Sequence, residues 1–181
     1  MRLRTKLLGS TAILLLLAAL ALVGYWRYWP HTPPASQHGT VTQDIAGTTV
    51  IVDYIRPVAH GREPFGDIVA WGQLWTPSAE RPALISFSTD VRLNGQPLAK
   101  GKYAIWTQPR KDNWTVIFSR DVNADHFSYQ EGQDALRLPV GPRSGGHMDT
   151  LCFYLPVVDG HAAELVLHWG QVVVPIQITT P

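Results

Sequence analysis

The stretch Gln171-Val172-Val173-Val174-Pro175-Ile176-Gln177-Ile178-Thr179 decides the fold class. Val172, Val174, Ile176 and Ile178 fall on alternate positions, against Gln171, Gln177 and Thr179. Successive side chains of an extended chain point to opposite faces, so this is the pattern of a strand with one face buried. The same period recurs upstream. Leu165, Leu167 and Trp169 share one face, as do Leu151, Phe153 and Leu155. Trp114, Val116 and Phe118 alternate with Asn113, Thr115 and Ser119, and Val50, Val52 and Tyr54 with Ile51, Asp53 and Ile55. Turn signals fall between the runs at Ala46-Gly47, Asn94-Gly95, Lys111-Asp112, Gly145-Gly146 and Asp159-Gly160. After residue 40 no segment keeps helical spacing over a helix's length with caps at both ends. The expectation is an all-β fold, an antiparallel β-sandwich or jelly-roll-like domain over residues 40–181.

One stretch of that domain does not alternate. From Tyr54 to Trp75 the chain carries Arg56-Pro57, Gly61-Arg62, Phe65-Gly66-Asp67 and Trp71-Gly72-Gln73-Leu74-Trp75. Long irregular segments in compact domains are functional or disordered, and this one is too aromatic for disorder. Arg56, Arg62, Asp67, Trp71 and Trp75 are therefore candidate ligand-binding residues. Indole faces stack rings, and guanidinium and carboxylate groups fix polar substituents. The competing structural reading has Arg56 or Arg62 pairing with Asp67 to pin the loop, while the tryptophans close the end of the sandwich.

The N-terminal part differs in kind. The 181 residues hold 15 Lys+Arg against 14 Asp+Glu, a net charge of +1. Arg2, Arg4, Lys6 and Arg27 precede residue 30 without one acidic residue, whereas from residue 40 onward 11 basic residues face 14 acidic ones, a net of −3. Residues 1–6 read as a basic cytoplasmic n-region and residues 7–29 as a transmembrane signal-anchor helix. The apolar run Leu7–Val23 and the aromatic belt Tyr25-Trp26-Arg27-Tyr28-Trp29 carry that reading. A cleaved signal using Ala19 and Ala21 is the alternative. The positive-inside rule leaves the N-terminus in the cytoplasm and puts 40–181 on the periplasmic or extracellular side of the inner membrane. Residues 30–39, with Pro30, Pro33 and Pro34, form a semi-rigid linker, in which His31 and His38 read as solvated.

Several chemistries find no support in the residues. A net acidic domain offers no basic excess for phosphates, so no nucleic-acid partner is expected. The histidines His60, His126, His147, His161 and His168 show no metal-ligand spacing, and no metal or cofactor is expected. His147 with Asp149, or His161 with His168, could meet only across strands. Ser144, in Gly141-Pro142-Arg143-Ser144-Gly145-Gly146, lacks the strand-to-helix elbow of a nucleophile and reads as a turn residue. Cys152 is the only cysteine and reads as an inert thiol.

A family resemblance joins these pieces. Thr49–Asp53, Tyr54-Ile55-Arg56-Pro57, Gly61-Arg62, Phe65-Gly66-Asp67 and Trp75 are followed by Leu93-Asn94-Gly95, Leu98, Lys100-Gly101-Lys102-Tyr103 and Trp114-Thr115-Val116-Ile117-Phe118. Asp134-Ala135-Leu136-Arg137 and Leu165-Val166-Leu167-His168-Trp169 complete the series. Their order and spacing resemble DUF2911, a bacterial family of exported domains of unknown function. The resemblance implies an all-β structure and export, adds Tyr103 as a candidate neighbour of the binding residues, and supplies no reaction. After Trp75 the chain departs from the family's Arg-Thr-Gly-Ala-Asn and reads Thr76-Pro77-Ser78-Ala79-Glu80-Arg81-Pro82-Ala83, so no residue there inherits a role.

The functional expectation is a membrane-tethered extracytoplasmic module that binds a small ligand or an envelope partner without catalysis, with the bilayer as partner of residues 7–29. The rivals are an envelope hydrolase acting on a sugar or peptide, using Asp67 or Glu80 with a histidine, and a purely structural domain.

Overall fold

The computed structural model describes residues 18–23 and 37–181. Residues 18–23 are helical, with Leu20, Leu22 and Val23 exposed. No helix among the described residues is long and apolar enough to cross a membrane. The rest of the expected span 7–29, the n-region 1–6 and linker residues 30–36 lie outside the described residues.

The remainder is all-β, with eleven strands: β1 (Gln37–Ile45), β2 (Thr48–Arg56), β3 (Ala83–Phe87), β4 (Val91–Leu93), β5 (Gln96–Leu98), β6 (Gly101–Gln108), β7 (Trp114–Ser119), β8 (Asp134–Val140), β9 (Arg143–Tyr154), β10 (Val157–Asp159) and β11 (Ala162–Thr179). A short 3-10 turn at Glu131–Gln133 precedes β8. All strand pairs are antiparallel. One sheet runs β1-β2-β3-β6-β7-β8, a meander from which the β4–β5 hairpin is diverted to the other sheet. That second sheet runs β10-β11-β4-β5, with β9 also paired to β11. Strand order follows chain order within the first sheet, in place of the interleaved Greek keys of a jelly roll.

The alternation seen in the sequence becomes the shared core. Val50, Val52 and Tyr54 from β2 meet Trp114, Val116 and Phe118 from β7, and Leu151, Phe153 and Leu155 with Leu165, Leu167 and Trp169 from the opposite sheet. Tyr54 shows how the layers lock. Its ring meets Phe153 edge-on at 4.9 Å, and its hydroxyl accepts the Phe153 N–H at 3.0 Å. Burial, opposed by that N–H, raises the phenol's pKa.

Four features depart from the sequence expectations. First, residues 37–39, read as linker, already belong to β1, and His38 bonds Asp53 at 2.9 Å. Second, the Gly145-Gly146 turn is absent; Gly141-Pro142 join β8 to β9, and both glycines lie inside β9. A Cβ at Gly145 would stand 2.6 Å from the Val173 side chain, so glycine there permits close strand approach.

Third, Leu165–Trp169 and Val172–Ile178 are halves of one strand. Gly170 adopts φ 58°, and the β9–β11 register shifts on either side of it. The core-facing set moves from odd positions (165, 167, 169) to even ones (174, 176, 178). The extra residues of the irregularity lie on β9, which runs from Cys152 to Arg143 while β11 runs only from His168 to Val173. Fourth, the six-stranded sheet has a small second core. Leu84, Ala104, Trp106 and Ile117 are covered by Leu74, Val122, Ala124 and Tyr129.

Candidate functional site

The irregular segment proves ordered, and its backbone hydrogen bonds explain why. Ala59 N–H donates to the Asp149 carbonyl at 2.7 Å, and Gly61 N–H to the Asp149 carboxylate at 2.8 Å. Val69 N–H returns to the Pro64 carbonyl and Gly66 N–H to that of Val69, closing a compact turn. Gly72 N–H reaches Pro109, and Trp75 exchanges two backbone bonds with Thr107 in β6. A loop whose polar backbone groups are paired in this way holds its side chains in fixed places.

Phe65 is the hub of that arrangement. Its ring centroid lies 4.8 Å from Trp114, 5.8 Å from Trp169, 6.0 Å from Trp71 and 6.1 Å from Trp75. Trp75 stacks on Trp169 at 5.7 Å with planes 19° apart, and the Trp169 indole donates to the Asp149 carbonyl. Pro64 packs onto Gly170, where a Cβ would lie 2.9 Å from its ring. The positive-φ Gly170 in β11 therefore serves the loop as well as the strand.

Trp71 is the outermost ring of the cluster and stays 40% exposed. It lines an open trough of about 290 Å³ together with Lys111, Trp114, Pro142, Arg143, Ser144, Gln171 and Val172. They come from four stretches of the chain. Gly72 docked on Pro109 brings Trp71 to the β6–β7 turn that carries Lys111, and Trp114 opens β7. The short β8–β9 connection delivers Arg143, and the ladder pairs Ser144 with Val172 just beyond Gly170. The Arg143 guanidinium is pinned by Glu164 at 2.6 Å. Trp114 is fully buried, and its indole N–H has no acceptor among the described residues. An unpaired buried donor costs about 1–3 kcal/mol, which makes it conspicuous beside a trough.

The sequence-derived candidates divide. Trp71 and Trp75 share the aromatic cluster, but only Trp71 lines the trough. Arg56 leaves it: Nη2 donates to the Cys152 sulfur at 2.8 Å, and this hydrogen bond raises the guanidinium's pKa. Arg62 donates to the Ala59 carbonyl at 3.3 Å. Neither arginine pairs with Asp67, which is exposed and has no carboxylate partner among the described residues. The loop is pinned by Asp149 and Pro64 instead. Tyr103 is buried, donates to the Ala99 carbonyl at 2.8 Å and packs under Gly101, so it is a core residue.

Asp67 and Glu80 form no hydrogen bond or ion pair with a histidine among the described residues. His168 bonds the Gly146 carbonyl and Tyr154, while His161 bonds Pro181. No group of three potential metal ligands occurs among the described residues. The divergent stretch after Trp75 is a strap. Thr76 Oγ1 donates to the Ile105 carbonyl and accepts the Ala83 N–H, and Ser78 Oγ accepts the Ile55 N–H. Its polar groups are spent on β2, β3 and β6.

Lys111, Trp114, Arg143, Ser144 and Gln171 were not singled out for binding by the sequence. Only strand pairing brings them to Trp71; the one visible signal was the turn at Lys111-Asp112. No curated protein and no solved structure matches the chain. The family profile described as "Protein of unknown function (DUF2911)" matches residues 36–178, and the chain belongs to that family.

Proposed function

We propose that the protein is a non-catalytic ligand-binding module of the bacterial cell envelope, tethered through residues 7–29 with its N-terminus in the cytoplasm and its β-domain outside. The observation that carries the binding reading is the partly exposed Trp71 ring lining a trough with Lys111, Arg143, Ser144 and Gln171. An open concavity with an aromatic face and a few convergent polar groups is the usual form of a small-ligand site. Its lining offers donors and ring faces, whereas acid–base hydrolysis of a sugar needs two carboxyl groups flanking the bond.

Support for the tether comes from the one-sided charge before residue 30 and the aromatic run Tyr25–Trp29. A mass measurement on the native N-terminus tests it: an intact start is expected, and a start at Leu22 overturns it. Saturation-transfer NMR with a panel of sugars and sugar acids on the full chain in detergent tests the binding reading. Transfer to at least one class, abolished in Trp71→Ala, is expected. No transfer to any class would leave the domain a structural one, and transfer indifferent to that substitution would put the site elsewhere.

A further inference from the structure

We infer that the trough takes a carboxylate-bearing sugar, with its ring on Trp71 and its carboxylate between Lys111 and Arg143; this rests on the binding reading above. The charge of the lining carries the first step. Lys111 and Arg143 are its only charged side chains, although the domain from residue 40 is net acidic. Lys111 has no carboxylate partner among the described residues, and Glu164 occupies one end of the Arg143 guanidinium while holding it in place. A guanidinium has five N–H donors, so others stay available.

Donor balance carries the second step. Lys111 and Arg143 donate and cannot accept. An ionised carboxylate accepts and cannot donate, which makes it the complement of such a lining. The third step concerns the rest of the ligand. Gln171 and Ser144 both donate and accept, as sugar hydroxyls do, and the trough is open rather than a closed apolar pocket. The exposed Trp71 face supplies the flat apolar surface on which the C–H side of a pyranose rests.

The test compares acids with their neutral counterparts on the full chain in detergent: N-acetylmuramic acid against N-acetylglucosamine, and glucuronic acid against glucose, with benzoate as a non-sugar acid. At least one sugar acid is expected to bind about tenfold or more tighter than its counterpart, and more weakly as salt rises. Lys111→Gln should remove that preference. Equal binding of acid and neutral sugar, both lost in Trp71→Ala, overturns the acid inference alone. Benzoate binding as tightly as the sugar acids overturns the sugar, and binding of no sugar overturns the inference. Sugar binding that persists in Trp71→Ala overturns the site itself.

Discussion

Two aromatic regions of this domain use similar residues to opposite ends. At one end of the sandwich, Phe65, Trp71, Trp75, Trp114 and Trp169 form a cluster whose outer ring is open and whose Trp114 N–H lacks an acceptor. On the outer face of the six-stranded sheet, Trp106 and Tyr129 pack at 5.3 Å over the second core. There the polar groups bond one another, with Asp134 Oδ1 alone left buried and unpaired in that network. Tyr129 donates to Asp134 at 2.7 Å, and Arg137 reaches both Tyr129 and Asp134 at 2.6 and 2.5 Å, with Glu131 at 2.9 Å. Aromatic content alone therefore does not mark a site; unspent donors and an open ring face do.

The largest effect separating the regions should come from Phe65→Ala. Phe65 is 7% exposed and touches four tryptophans, so its loss should cost about 3–5 kcal/mol in urea unfolding. A cost below that of a surface substitution would mean that the cluster is not part of the core. Gly170→Ala comes next. It places a side chain at φ 58° and against Pro64, and should cost about 1–3 kcal/mol, read as a lowered Tm.

The outer region should show itself through pH. Burial, reinforced by the Asp134 hydrogen bond, pushes the Tyr129 phenol from 10.0 up to about 12. The folded state then holds a proton that the unfolded state releases first. This stabilising contribution is complete below pH 10 and fades as pH rises from 10 to 12. Tyr129→Phe should flatten that part of the Tm-against-pH curve, and an unchanged slope would refute the assignment. Trp71→Ala should do least to stability, about 1 kcal/mol or less, since much of its ring is already in water. A large loss of stability would place Trp71 with the buried rings rather than with the trough.

How much was legible follows from the range of each signal. Period-two alternation is local, so the buried faces of β2, β7, β9 and each half of β11 could be read directly. The Ala46-Gly47 and Asn94-Gly95 turns were also legible, because their positive φ values of 49° and 81°, and of 46° and 78°, suit hairpins. The irregularity at Gly170 was not, because Trp169-Gly170-Gln171 reads equally well as the end of one strand and the start of another. The second core escaped because Ile117 and Trp106 face away from the main core, toward loops whose position depends on the whole sheet. The site was half legible for the same reason. Trp71 stood out in its irregular segment, whereas Lys111, Trp114, Arg143 and Gln171 converge only after β7, β9 and β11 have paired.

Strand β11 has a consequence for the order of assembly. Its final residues, Ile178 and Thr179, pair with Leu93 and Arg92 of β4, some 85 positions earlier in the chain. The β4–β5 hairpin can form early by its own turn, yet it has no sheet to join until the last stretch is free to pair. The second sheet is therefore completed only once residues 178–179 have been made, and a chain stalled before residue 178 would carry a bare strand edge open to pairing with a neighbour.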